Sequence, residues 1–386
     1  MLRASPYAWT SQYLTGFFFS YGVYLPFWAM WFKHMGMSES QIGVLIGLGL
    51  ITRPVSNLVL PRIVHKAEQL IPALRCMSFI SLLVVLLHLA VSSSFWGLAA
   101  VTILFNLVYA PLVPLSDSLA NHYQRRGLLD YGRTRLWGSV AFVIGSWVVG
   151  FSSERFGEAA IPWVAVLGLL LTLLFSLRRP QTPPQSSAEI GARPSLLRFL
   201  KRGDVWLFIV LVALLQGSHA ALYAFASNYW NSVGISDAWV STLWNIGVVF
   251  EILIFIFAKR LFANWSVASM MRLAAVAVAV RWSLMGVVES LPLFALAQSL
   301  HSITFAVAHL AAIRHIQSQI DSEQVAWQSL YNALALGLFM GLLSMGLGPI
   351  VESMGSAAFF IMASFSVPAL LLTFKLGAEP KTASEQ

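Results

Sequence analysis

The chain has 386 residues, of which 58% are hydrophobic and 10% charged, with a formal net charge of +8. That composition excludes an ordinary water-soluble globule, because the surface to be covered is lipid rather than water. The single cysteine, Cys76, excludes an intrachain disulfide framework and matches no metal or redox motif.

A helix needs roughly 20 apolar residues to cross the hydrocarbon, and polar punctuation divides the chain into a dozen such runs. They lie near 9–32, 40–60, 72–92, 95–116, 135–151, 159–177, 205–230, 238–258, 267–288, 291–313, 325–347 and 355–374. Spanning barrels show alternating segments of about 10 residues, whereas these runs are solidly apolar. The first run is too long, and too lightly charged in front, for a cleaved signal peptide, and reads as a retained helix. The expected fold class is an all-α membrane protein, twelve transmembrane helices in two six-helix halves.

The +8 balance alone would permit a nucleic-acid partner, but its placement argues for topology. Arg62, Lys66, Arg75, Arg125, Arg126, Arg133, Arg178, Arg179, Lys259, Arg260, Arg314, Lys375 and Lys381 fall in alternate loops or the C-terminal tail, as do Arg193, Arg198, Lys201 and Arg202. The opposite loops hold only Lys33 and Arg155. This asymmetry predicts cytoplasmic N- and C-termini. RRPQTPPQSSAEIGARPSLLRFLKRGD, from Arg178 to Asp204, has a linker composition rich in Pro, Ser and basic residues. The expected organisation is a half over 1–178, a cytoplasmic linker over 179–204, a second half over 205–376 and a cytoplasmic tail over 377–386.

Along the runs, Arg53 with Pro54 and Asn57 lies about two turns from the cytoplasmic end of the second, where it can snorkel, gate or bind substrate. His88 has no polar company in SLLVVLLHLAVSSS and reads as structural. His219, with Gln216, Gly217 and Tyr223 about one turn away, faces either a cavity or a neighbouring helix. Glu251 and Arg281 sit in the apolar runs Leu243 to Ala258 and Leu273 to Val288. A charge at mid-bilayer costs ~2.5–3.5 kcal/mol, so such residues are functional candidates, the alternative being a structural pair. Gly43, Gly47 and Gly49, and Gly337, Gly341, Gly346 and Gly348, have the spacing of close helix approach.

Six plus six runs around a basic central loop resembles the major facilitator superfamily, whose halves bind substrate near the midplane. The signature that usually follows its second helix is poorly matched by LPRIVHKAEQ, where Pro61 stands at the Asp position. FNLVYAPLVPLSDSLANHYQRRGLLDYGRTRLWGSVAFVIGS, from Phe105 to Ser146, resembles the lactose-permease-like oligosaccharide/proton symporter branch. The resemblance implies that Asp117 pairs with Arg135 to bind substrate, with Gly132-Arg133-Thr134-Arg135 as the Gly-Arg-x-Arg motif. It places Phe142 where a Trp stacks on sugar, and Glu251, Arg281 and His301 in the proton-coupling cluster. Thr304 and Gln298 replace that cluster's second acid and a Lys, leaving the relay incomplete. Phe105, Tyr109, Trp137, Phe17, Phe18, Phe19, Tyr21, Tyr24 and Trp28 offer an aromatic path, although taken singly most of these rings are expected to be lipid-facing or interfacial.

Along nearly its full length the chain resembles the bacterial 3-phenylpropionate transporter family. The matching stretches are FFFSYGVYLPFWAMW from Phe17, PLVPLSDSLAN from Pro111, LDYGRTRLWGSVAFVIGS from Leu129, LLQGSHAALYAFASNYW from Leu214, LWNIGVVFEILIF from Leu243 and LHSITFAVAHLAAIRHI from Leu300. This implies proton-coupled import of a small anionic aromatic carboxylate by alternating access, by a monomer in the bacterial cytoplasmic (inner) membrane. No cofactor or metal is implied beyond the proton gradient, and no nucleic acid. The substrate-binding set is then Asp117, Arg135, Phe142 and His219, with Arg53 in gating. Two rivals share these residues: a sugar or nucleoside symporter and a drug efflux antiporter. An enzyme is not expected, since HExxH and P-loop signatures are absent.

Overall fold

The computed structural model describes residues 3–64, 66–91, 94–185 and 199–376. Arg193, Arg198, Lys381, most of the linker and the tail 377–386 lie outside them. The chain folds as helices joined by short connections: α1 (Pro6–His34), α2 (Glu39–Ile63), α3 (Ala67–Ala90), α4 (Phe95–Arg125), α5 (Tyr131–Phe156) and α6 (Ile161–Ser176). After the linker come α7 (Gly203–Ser232), α8 (Asp237–Leu261), α9 (Val267–Val287), α10 (Leu291–Gln317), α11 (321–354) and α12 (358–373). By length and composition nine stretches among the described residues suffice to cross a membrane, and one of them, Asp321–Thr373, contains both α11 and α12. The fold class is that of an all-helical membrane protein. One element escapes hydropathy altogether: β1 (Arg3–Ala4) pairs in parallel with β2 (Arg179–Pro180).

Local chemistry sets several ends and breaks. Ser5 accepts from the Ala8 N–H and Pro6 opens α1, while Asp130 accepts from the Arg133 N–H at 2.7 Å and so starts α5. Each supplies an acceptor for a donor that the first helical turn leaves orphaned. α4 loosens at Ala110 and Pro111, where proline lacks the N–H that would continue the ladder. π-helical turns interrupt α7 at Leu222–Ala226, α10 at Ser302–Val307 and α11 at Tyr331–Phe339.

The helices pack as two compact units. One comprises the described residues through 185 together with 223–245; the other comprises 199–222 and the described residues from 246 onward. In the first, α1 lies backbone to backbone against α5 and α6. A Cβ added at Gly22 would stand 2.3 Å from the Phe142 carbonyl oxygen, one at Gly145 2.2 Å from that of Phe19, and one at Gly168 2.7 Å from the Ser20 nitrogen. The close approaches of α1 are therefore made by glycines that the spacing argument passed over; of those it chose, Gly49 would bring a Cβ 2.8 Å from Asn106 Nδ2, while Gly346 faces open space. Side chains from the 223–245 stretch complete this unit: Ser227 donates to the Pro26 carbonyl at 2.5 Å and Ser153 to Asp237 Oδ2 at 2.5 Å.

The expectation of lipid-facing rings is also corrected. Phe17, Phe18, Phe19, Tyr24, Trp28, Phe105, Tyr109 and Phe142 are all buried within the first unit. Only in packing do they find partners, such as the Phe105–Tyr109 stack at 4.6 Å. Trp137, half exposed with its indole N–H donating to Tyr7, and the half-buried Tyr21 are the exceptions.

Candidate functional site

Each unit holds its own polar cluster. In the first, Asp117 lies beyond the proline break of α4 and Arg135 one turn into α5. They form no direct ion pair among the described contacts. Instead the Tyr131 hydroxyl donates to Asp117 Oδ1 at 3.0 Å and lies beside Arg135, whose guanidinium covers the Phe18 ring at 4.0 Å. Gly138 makes room for that stack, since a Cβ there would meet Phe18 at 2.6 Å. The acid and base expected to touch are thus bridged by a phenol, and Tyr131 is a member of the group that sequence reasoning missed.

Deeper in the same unit, Arg53 of α2 donates through Nε to Asn106 Oδ1 of α4 at 3.0 Å. Asn106 is fully buried and its amide nitrogen donates to the Tyr24 hydroxyl and to the Thr102 carbonyl. Tyr21, between Phe17 and Phe142 at 6.0 Å from each ring, connects this group to the aromatic core. Asn106 was legible as a lone amide within the apolar stretch ILFNLVY. His88 is buried against Trp28 and Phe105, as a structural residue would be, with Nδ1 on the Val84 carbonyl and Nε2 3.4 Å from the Thr102 hydroxyl.

The second unit brings Glu251, Arg281 and His301 together from α8, α9 and α10. Arg281, fully buried, donates through Nη1 to His301 Nδ1 at 3.1 Å and to Thr304 Oγ1 at 2.9 Å, and through Nη2 to Gln298 Oε1 at 2.9 Å. Glu251 Oε2 lies 3.6 Å from His301 Nε2. His219 joins this group rather than the Asp117 and Arg135 group: its Nε2 is 3.0 Å from Thr304 Oγ1 and its Nδ1 3.1 Å from the Gln216 carbonyl. The loosened turn at 218–219 and the π turn after His301 present these side chains to one another.

Donor and acceptor chemistry orders the cluster. A guanidinium only donates, so His301 Nδ1 accepts and its proton sits on Nε2, toward Glu251. A carbonyl only accepts, so His219 carries its proton on Nδ1 and its Nε2 accepts from Thr304. Both imidazoles are neutral in this arrangement, and Thr304, standing where a carboxylate was expected, links them through Arg281.

Together, the polytopic helical bundle and the family match place the chain among membrane transporters of the major facilitator type. The chain belongs to the MFS_1 like family, which it matches over residues 9–362. It is 39% identical over 363 residues, 93% of this chain and 95% of the other, to the "Probable 3-phenylpropionic acid transporter" of Escherichia coli (strain K12). It is 23% identical over 249 residues, 61% of this chain and 58% of the other, to the "Putative nucleoside transporter YegT" of the same organism. Among solved structures, that of the nucleoside transporter NupG superposes with a TM-score of 0.80 at 16% identity, covering 96% of this chain and 99% of that one. The D-xylose-proton symporter does so with 0.68 at 13% identity, covering 97% and 98%. At those identities the structures share the fold alone. These relatives are transporters, not enzymes.

Proposed function

We propose that the protein imports a small aromatic monocarboxylate, of the 3-phenylpropionate or cinnamate kind, together with protons by alternating access. The observation that carries the cargo is the 39% identity, over almost the whole of both chains, with a protein named for 3-phenylpropionic acid. Proton coupling is supported by the second cluster. Protonating His301 at Nδ1, or His219 at Nε2, would turn an acceptor toward an existing donor; Glu251 takes a proton without reversing either contact. Glu251 is therefore the coupling acid, with His301 relaying and Arg281 holding the histidines in register. Asp117, Arg135 and Phe142 contribute to substrate binding from the first unit, and His219 supports the coupling group. The protein works as a monomer in a bacterial inner membrane with both termini cytoplasmic.

A second reading, nucleoside symport, is favoured by the name of the 23% identical relative. Counterflow in proteoliposomes separates the two. Exchange is expected with 3-phenylpropionate and not with a nucleoside or a β-galactoside; exchange with a nucleoside but not the acid would replace the proposed cargo.

A further inference from the structure

Of the five arginines within helices of the apolar runs, Arg75 donates to the carbonyls of Ser176 and Arg178, and Arg272 to the Thr373 hydroxyl, while two others have an acid in their own cluster. Arg135 has Asp117 across Tyr131, and Arg281 has Glu251 across His301. Arg53 has neither. The ion pairs formed among the described residues do not include it, and its electrostatic neighbours are the phenols of Tyr21, Tyr24 and Tyr109. A cation in the apolar phase with only neutral partners is costly, and that cost is relieved by an anion.

The surroundings of Arg53 are built to hold it in one pose. Asn106 cannot rotate its amide without losing two donations, so its oxygen stays on Arg53 Nε at 3.0 Å. Gly49, one turn before Arg53, admits that amide: a Cβ there would lie 2.8 Å from Asn106 Nδ2. With Nε engaged, the rest of the guanidinium meets the hydroxyls of Tyr21 and Tyr24, neutral partners that a carboxylate, whose two oxygens match the planar fork, can displace. Tyr24 accepts from Asn106 and keeps its own proton to donate. Arg53 as a whole is half-buried rather than enclosed in the core. Tyr21 links this group to Phe17 and Phe142, rings that would offer an aryl group edge and face contacts.

We propose that Arg53, oriented by Asn106 and flanked by Tyr21 and Tyr24, is the subsite that receives the carboxylate of the cargo, with the aromatic group around Phe142 receiving its ring. The assignment rests on the aromatic-carboxylate reading and gives Arg53 recognition rather than gating. Arg135 keeps its stack on Phe18 and its acid partner while the anion is bound.

The test compares 3-phenylpropionate with its primary amide on purified, reconstituted protein, reading dissociation constants for the wild type, R53Q and N106D. Wild type is expected to prefer the acid. R53Q weakens the acid by about 10- to 100-fold, the range for one charge-assisted hydrogen-bonding group, and leaves the amide nearly unchanged. N106D places a carboxylate on Arg53 Nε and cancels the preference in the same way, which decides the matter should R53Q not fold. An acid-over-amide ratio that persists in both R53Q and N106D overturns the assignment while leaving the cargo intact. Wild type that binds neither compound overturns the cargo reading and this subsite with it.

Discussion

The hydrogen-bond directions around Arg281 tie function to individual atoms. Because His301 Nδ1 is committed to Arg281 at 3.1 Å, the proposed coupling puts the entering proton on Glu251, whose charge would then decide whether the His301 N–H has an anionic acceptor. Glu251→Gln keeps the side chain's size and removes its titration. Counterflow, which requires no net proton movement, is expected to survive in this variant, while accumulation against a gradient in energised vesicles disappears. Unaltered accumulation would move coupling to another group. The neutral Thr304 and Gln298, read as gaps in an incomplete relay, turn out to be acceptors for Arg281. They offset a buried guanidinium without adding a second titrating acid.

At the scale of elements, α1 is held by backbone proximity. Gly22 and Gly145 interlock α1 with α5, each Cβ position lying within 2.3 Å of a carbonyl oxygen of the other helix. No side chain can move aside for a methyl group there, so the helices themselves must separate. Gly22→Ala and Gly145→Ala are each expected to destabilise the folded protein by about 1–3 kcal/mol, the cost of overpacking, read as a lower melting temperature in detergent. Gly346→Ala is the contrasting case. It fills open space in a helix interior, where alanine is favoured over glycine by about 1 kcal/mol, so its melting temperature holds or rises. Equal losses at all three positions would show that the close packing of α1 is not what limits stability. The displacement of α1 from α5 would also shift Phe142, whose carbonyl is one of the two contact points.

For the whole molecule, the distribution of charge is the relevant quantity. The basic residues in alternate connections favour one orientation across a membrane that is negative inside. In a Cys76→Ser background, Ser318→Cys, between α10 and α11, is expected to be labelled by an impermeant maleimide only after permeabilisation. Ser290→Cys, between α9 and α10, is expected to react in intact cells. The reverse pattern would invert the proposed topology.

Composition and hydropathy were enough to establish the helical membrane class, because covering apolar runs of this length with lipid leaves the backbone little choice but helix. Glu251, Arg281 and His301 were legible as well, since an ionisable group in an apolar run is costly wherever it points. The orientation of side chains was not legible. Linear sequence carries no information on which face of α1 meets α5, so the buried rings of Phe17 to Phe19 read as lipid-facing and Gly22 and Gly145 went unnoticed. Nor did it show that Tyr131, 14 residues from Asp117, stands between that acid and Arg135, or that His219 belongs with His301. Those relations depend on helix rotation and on local widening of α7 and α10. They are set by packing against elements distant in the chain, and only the tertiary structure decides them.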